Sequence, residues 1–176
     1  RLGDEGNANY VLGYNELPYF KEVSWEGVSR KDLSIINTKS GNSKIIAKAI
    51  EGNTSFSPNA KFIYWYNRLD SAWFAYEMAS EQLRQITNNE TVTYYREIHD
   101  TPSNPYPYGI AGWTANDQYI LINDRYDLWK IDPRGKEKPI NLTNGRANKM
   151  LHRYIRLNSE ERNIDTSDPM LLYVFD

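Results

Sequence analysis

The run Gly112-Trp-Thr-Ala-Asn-Asp-Gln-Tyr-Ile-Leu-Ile-Asn-Asp-Arg-Tyr-Asp-Leu-Trp-Lys-Ile-Asp-Pro-Arg-Gly-Lys136 decides the fold. It reads as turn, strand, turn, strand, turn. The stretch Ser55 to Glu81, SFSPNAKFIYWYNRLDSAWFAYEMASE, has the same grammar. Phe56-Ser57-Pro58-Asn59-Ala60 aligns with Trp113-Thr114-Ala115-Asn116-Asp117, and each leads into an alternating strand. Trp73-Phe74-Ala75-Tyr76-Glu77 aligns with Leu128-Trp129-Lys130-Ile131-Asp132. Leu83 to Thr87 aligns with Pro139 to Thr143, a short last strand closing on an apolar residue, Thr and Asn. The offset stays at 55 to 57 residues.

Working outward, a partial copy precedes these two. It holds Asp32 to Asn37, a turn at Ser40-Gly41-Asn42, and Lys44 to Ala47. A fourth starts at His152 to Leu157 and Met170 to Phe175. Asn59-Ala60, Ser40-Gly41-Asn42 and Arg134-Gly135 supply turns rich in residues that accept positive φ or bond their own backbone. Period-2 alternation is clear in Tyr119–Ile122 and Leu128–Ile131, and strands are expected over Phe62–Tyr66, Trp73–Met78, Tyr119–Asn123 and Leu128–Asp132. Helical periodicity is weak. Met150, Leu151, Tyr154 and Ile155 fit a helix face, but they lie where the next unit's first strand belongs, and position favours strand. Four-stranded units recurring at this period are the signature of β-propeller blades. The expectation is an all-β chain, a partial β-propeller of about three four-stranded antiparallel blades. Its units fall near 1–50, 51–88 and 109–144, with the start of a fourth at 150–176. Phe56 and Trp113 end equivalent strands and are expected to be buried between sheets. The inter-unit stretch 88–109 carries Pro102, Pro105 and Pro107, which keep it out of a central strand. It reads as a surface flap or a binding loop.

Composition narrows the function. The 176 residues carry a net charge of −2, with no basic excess to suggest nucleic acid. No apolar run approaches a membrane span. With no cysteine, disulfides and thiolate metal sites are excluded. The 14 Tyr and 5 Trp favour strands. Trp65, Tyr66, Trp73 and Tyr76 fit a stacked ligand platform, and fit packing between blades better. The N-terminus lacks Met and a signal-peptide shape, and reads as a start within a longer polypeptide.

Three runs carry a resemblance to a known family: Glu22 to Asn37, Ser55 to Ser80, and Tyr106 to Gly145. From about Val11 to Asp176 the chain resembles the N-terminal propeller of bacterial serine peptidases of the prolyl oligopeptidase family, nearest to the large Bacteroidetes-type members. The Trp-Ser/Thr turn and the Asp-Leu-Trp-Lys-Ile-Asp strand are common to many propellers, whereas the long third run is more specific. The resemblance implies a C-terminal α/β-hydrolase domain with a Ser/Asp/His triad as partner and a peptide as substrate. The propeller would cap that domain and gate access to it. A periplasmic or exported parent would suit the resemblance. The alternative is an interaction module without a hydrolase, similar to TolB-type propellers. A propeller enzyme with its own acidic or metal site, such as a polysaccharide lyase, comes third.

The chain's own chemistry is sparse. A nucleophile elbow needs G-x-S-x-G. Ser29 and Ser43 follow Gly27-Val28 and Gly41-Asn42 but lack the second glycine. His99 beside Asp100 is poorly disposed for a triad, and His152 is the one other histidine. No catalytic residue, cofactor or metal is therefore assigned. Asp124 and Asp127 flank a hairpin turn and offer two oxygen ligands to a hard cation. Arg125 between them favours local pairing. Glu160-Glu161-Arg162 resembles the paired glutamates with which dipeptidyl-peptidase propellers hold a substrate's amine. The flanking Leu157-Asn158-Ser159 departs from the aromatic and acidic context of that pair. These glutamates are the substrate-binding candidates, against a solvated turn. A stack of about three blades leaves terminal sheets uncovered, so the chain is expected to self-associate.

Overall fold

The computed structural model describes residues 3–176. Arg1 and Leu2, where the first unit was placed to begin, lie outside it. Among the described residues, thirteen strands form four antiparallel sheets in chain order. The first sheet holds β1 (Tyr10–Asn15), β2 (Arg30–Asn37) and β3 (Ser43–Glu51). The second holds β4 (Thr54–Phe56), β5 (Phe62–Asn67), β6 (Ala72–Glu77) and β7 (Gln82–Gln85). The third holds β8 (Ile110–Trp113), β9 (Ile120–Asn123), β10 (Leu128–Ile131) and β11 (Ile140–Asn141). The last pairs β12 (Leu151–Tyr154) with β13 (Leu172–Phe175). The protein is all-β, and each of its two complete sheets is a simple four-stranded meander. The first unit has three strands, and a long excursion with one short helix, α1 (Val23–Glu26), separates β1 from β2. The ambiguous stretch after Lys149 is strand β12.

Alternation explains the stacking. Along β5, Phe62 and Tyr66 join one core cluster while Ile63 and Trp65 join another. Along β9, Ile120 and Ile122 face the first of these clusters and Leu121 a third. Successive side chains on a strand point to opposite faces. Each central strand is thus buried on both sides, between the sheet before and the sheet after. That serial, face-to-face packing of meanders is the arrangement of propeller blades.

The repeat extends to single hydrogen bonds. Phe56 pairs with Ile63 as Trp113 pairs with Ile120. Ser57 N–H donates to the Phe62 carbonyl at 2.9 Å, and Thr114 N–H to that of Tyr119 at 2.9 Å. The hydroxyls of Ser57 and Thr114 accept from the N–H groups of Phe62 (2.9 Å) and Tyr119 (3.0 Å). At the far end, Thr87 Oγ1 accepts from Trp73 N–H (2.9 Å) as Thr143 Oγ1 does from Leu128 N–H (3.1 Å). The apolar-Thr closure in the sequence is therefore a side chain satisfying the backbone where the ladder ends.

Trp113 is 2% exposed. It crosses to the previous sheet, stacking on Phe62 at 5.6 Å and meeting Tyr64 edge-on at 5.2 Å. Phe56 is only half-buried, packed on the second cluster and touched by the N-terminal turn at Gly3. Trp65, Tyr66, Trp73 and Tyr76 are all buried, divided between the two faces of their sheet, so they serve as inter-sheet packing.

The 88–109 stretch folds back as a flap. Tyr95 bridges Pro107, and Arg96 N–H donates to the Tyr106 carbonyl at 2.8 Å. Tyr94, 1% exposed, plugs into the core edge-on against Trp129 at 6.2 Å. The Tyr66 hydroxyl ties the flap down through the Pro105 carbonyl at 3.0 Å.

Replacing Trp113 with Ala should cost about 3–5 kcal/mol, the range for emptying a large buried aromatic site. Phe56→Ala should cost clearly less. Urea unfolding followed by fluorescence checks both, and equal losses would contradict the asymmetry of burial.

Candidate functional site

Acidic side chains sort into two groups, those consumed by the fold and those left over. Asp117, fully buried, is the clearest of the first kind. It leaves its own sheet and accepts from the preceding blade's first turn. Its donors are Ser57 Oγ at 2.6 Å, Asn59 N–H at 3.0 Å and Lys61 N–H at 3.3 Å. The aligned residue one unit earlier is Ala60, so this clasp joins the second and third sheets alone. That substitution within the repeat was the sequence signal for it, and it was missed.

Asp124 and Asp127, the pair considered for a cation, are also fully buried. Their oxygens are taken by N–H and O–H donors. Asp124 Oδ1 accepts from Tyr126 N–H at 2.7 Å and from Asp127 N–H, and Oδ2 from the Arg146 guanidinium at 3.1 Å. Asp127 accepts from Thr143 Oγ1 at 2.8 Å, Arg146 N–H at 3.2 Å and Gly145 N–H. Burial pushes the Asp127 carboxyl up, but these hydrogen bonds outweigh it and hold the group below its ordinary value. Arg146 also binds Glu97 on the flap at 2.6 Å. Arg153 donates to the Asp124 and Arg125 carbonyls at 3.0 and 3.1 Å. One turn thus fastens the flap, the third sheet and the last sheet together. Arg125 pairs with Glu97 at 3.6 Å instead of with its two flanking acids.

Glu77 plays a similar part between sheets. It accepts from Ser80 Oγ at 2.6 Å and from Arg134 Nε at 2.8 Å. The Ser80 bond and Arg134 hold its carboxyl below the usual range against the opposing effect of burial.

Glu160 and Glu161 belong to the second group. The connection from β12 to β13 runs as a strap across the turns that follow β4 and β8. Ile164, 2% exposed, donates its N–H to the Trp113 carbonyl at 2.8 Å. Arg162 reaches Asp4 at 2.7 Å and also the Pro58 carbonyl. The strap, the Phe56–Pro58 turn and the N-terminal turn enclose an open cleft of about 680 Å³. Arg156, Glu160 and Glu161 line it. Asn158 fixes the turn, its side-chain Oδ1 accepting from Glu160 N–H at 3.0 Å and its carbonyl from Glu161 N–H at 3.2 Å. Among the described residues, the side chains of Arg156, Glu160 and Glu161 have no hydrogen-bond or ion-pair partner. The arrangement offers carboxylates to an ammonium and a guanidinium to an anion. Sequence reasoning found the two glutamates but not Arg156 or Asp4, which reach the cleft through loops that follow no period.

The remaining candidates form no triad: no hydrogen bond joins Ser29 or Ser43 to either histidine among the described residues. His99 is turned into its own loop, with Nε2 2.6 Å from the Ser103 carbonyl. His152 Nδ1 lies 2.9 Å from the Met150 carbonyl.

No family model and no curated protein matches the chain. Among solved structures it is similar to TolB from Acinetobacter baumannii, at TM-score 0.44 and 14% identity, over 81% of this chain and 31% of that one. It is also similar to the β-propeller domain of the Trilobed protease from Pyrococcus furiosus, described as having an open velcro topology. There the TM-score is 0.46 and the identity 11%, over 84% of this chain and 42% of that one. The chain therefore spans less than half of either. The propeller architecture rests on the sheet order, register and stacking above.

Acid should unfold the protein partly through Asp127 and Glu77. Both carboxyls titrate lower in the folded state, so their contribution is complete above their unfolded values near 4. It is lost as pH falls through the folded values. Asp127→Asn should destabilise at neutral pH by about 1–3 kcal/mol, through donors left poorly paired. The gap from the unsubstituted chain should narrow as acid protonates Asp127, below the ordinary carboxylate range. Thermal melts across pH would show it, and a gap independent of pH would contradict it.

Proposed function

We propose that this chain is the non-catalytic propeller segment of a prolyl-oligopeptidase-like serine peptidase, forming a wall past which peptides reach a hydrolase domain. Support comes from the three sequence runs quoted above and from a propeller geometry that accommodates them. The observation that carries the reading is the cleft beneath the strap. It presents the free carboxylates of Glu160 and Glu161 at the rim of the stack, where a peptide amine would meet them. The carboxylates of Asp117, Asp124, Asp127 and Glu77 are spent on holding sheets together, which makes the unspent pair stand out.

Chemistry on the peptide bond would belong to the other domain. In this chain each histidine bonds to a nearby backbone carbonyl, of Ser103 and of Met150, and no serine sits on a G-x-S-x-G elbow.

The parent protein should react with a fluorophosphonate serine probe, and the 176-residue chain should neither label nor turn over proline-containing chromogenic peptides. A parent with no probe-reactive serine would overturn the peptidase reading in favour of a TolB-like interaction module. In an active parent, Glu160→Gln with Glu161→Gln should raise KM several-fold for peptides with a free amino terminus and leave N-acylated peptides unaffected. An equal effect on both substrates would remove these residues from substrate binding.

A further inference from the structure

The cleft beneath the strap holds a charge that the functional reading does not use. Arg156 lines it together with Glu160 and Glu161. The arginines on either side of it in sequence serve the fold. Arg153 donates to the Asp124 and Arg125 carbonyls, and Arg162 binds Asp4 and the Pro58 carbonyl. Among the described residues, Arg156 has no hydrogen-bond or ion-pair partner, although Glu160 stands four residues further on.

Two features keep these opposite charges apart in one cavity. The backbone from Arg156 to Glu160 is not helical, so the spacing of four does not bring their side chains together. The turn at Asn158 carries Glu160 and Glu161 instead. Arg156, for its part, is laid against β8. A Cβ at Gly112 would stand 3.0 Å from Arg156 Nη2 and 3.0 Å from Ile164 Cδ1. Any side chain there would have to push one of them away, so the bare backbone of β8 is where the guanidinium and the buried Ile164 settle side by side.

We propose that the cleft is selective for a zwitterionic peptide, one whose free ammonium meets Glu160 and Glu161 while a carboxylate of the same molecule meets Arg156. This rests on the reading that the two glutamates hold a peptide amine, and it adds an anion to what they hold. A guanidinium presents its N–H donors in a fixed fork that matches a carboxylate with two parallel bonds. The cleft, at about 680 Å³, falls within the range of roughly 300–1,000 Å³ usual for small-ligand sites. Phe56 and Pro58 line it too and give an apolar wall to the part of the peptide between its charges. The carboxylate has two sources, the α-carboxyl of a di- or tripeptide and an acidic side chain near the amino terminus of a longer peptide. A basic side chain in the same place would be repelled by Arg156.

Titration of the 176-residue chain with four tripeptides, followed by nuclear magnetic resonance, tests this. The probes are Ala-Ala-Ala, Ala-Ala-Ala amide, Ala-Asp-Ala amide and N-acetyl-Ala-Asp-Ala amide. Ala-Ala-Ala, Ala-Asp-Ala amide or both should bind at least about tenfold more tightly than Ala-Ala-Ala amide, the worth of one hydrogen-bonded charge. Which of the two does so identifies the source of the carboxylate. Arg156→Gln should bring all three free-amine peptides to the same affinity. Equal affinity for these three in the unsubstituted chain would overturn the proposal and leave the amine reading standing. So would a preference that survives Arg156→Gln. Acetylation should weaken binding of the Asp peptide. Equal affinity for its acetylated and free forms would remove the glutamates from amine binding and the zwitterion with them, and binding by none of the four would overturn both readings of the cleft.

Discussion

Burial of the central strands on both faces is the constraint on which the rest of the structure depends. A strand such as β5 cannot be polar on either side, because Phe62 and Tyr66 face one neighbouring sheet while Ile63 and Trp65 face the other. This is why Phe-Ile-Tyr-Trp-Tyr reads as an unbroken apolar run and not as the half-polar alternation of a sheet with one wet face. It also sets a wedge-shaped gap to be filled from both sheets, and large rings fill it. Trp113 against Phe62 and Tyr64 adds directional ring contacts, each about 0.5–1.5 kcal/mol beyond area alone.

Once faces are committed to packing, polar work moves to the turns. Ser57, Thr114, Thr87 and Thr143 satisfy backbone groups at matching places in two sheets. Asp117 and Arg134 then tie neighbouring sheets at their rims. Asp117 acts in a dry setting, where an unpaired donor is costly, so its loss should matter more than that of an exposed pair such as Lys44–Glu81.

Legibility follows the same division. Strands β5, β6, β9 and β10 could be read to within a residue or two because alternation and turn chemistry occur twice at one offset. Strand β1 went unread: it has no aligned copy, contains Gly13, and is cut off from β2 by the excursion through α1. Phe56 looked equivalent to Trp113, and its register is, but its burial depends on what lies on the far side. There the first sheet and the N-terminal turn give partial cover where Trp113 meets a full aromatic sheet. The Asp124–Asp127 turn showed two acids to the eye. Only the fold shows that Arg146 and the Gly145 amide come from beyond the next two strands to occupy them.

The candidate cleft was legible in one part only, the Glu160-Glu161 pair, for a physical reason. Repeats encode contacts between equivalent positions, and a functional cleft is built where equivalence fails. The connection after β12 is far longer than its counterparts after β4 and β8, and the extra length becomes the strap. Its anchors, Ile164 on the Trp113 carbonyl and Arg162 on Asp4, are single bonds to particular partners with no echo elsewhere in the chain. Between β12 and these anchors the strap turns at Asn158, and Glu160 and Glu161 line the cleft. A rigid repeated scaffold thus holds one irregular segment at both ends, and the free carboxylates sit where the chain departs from its own pattern.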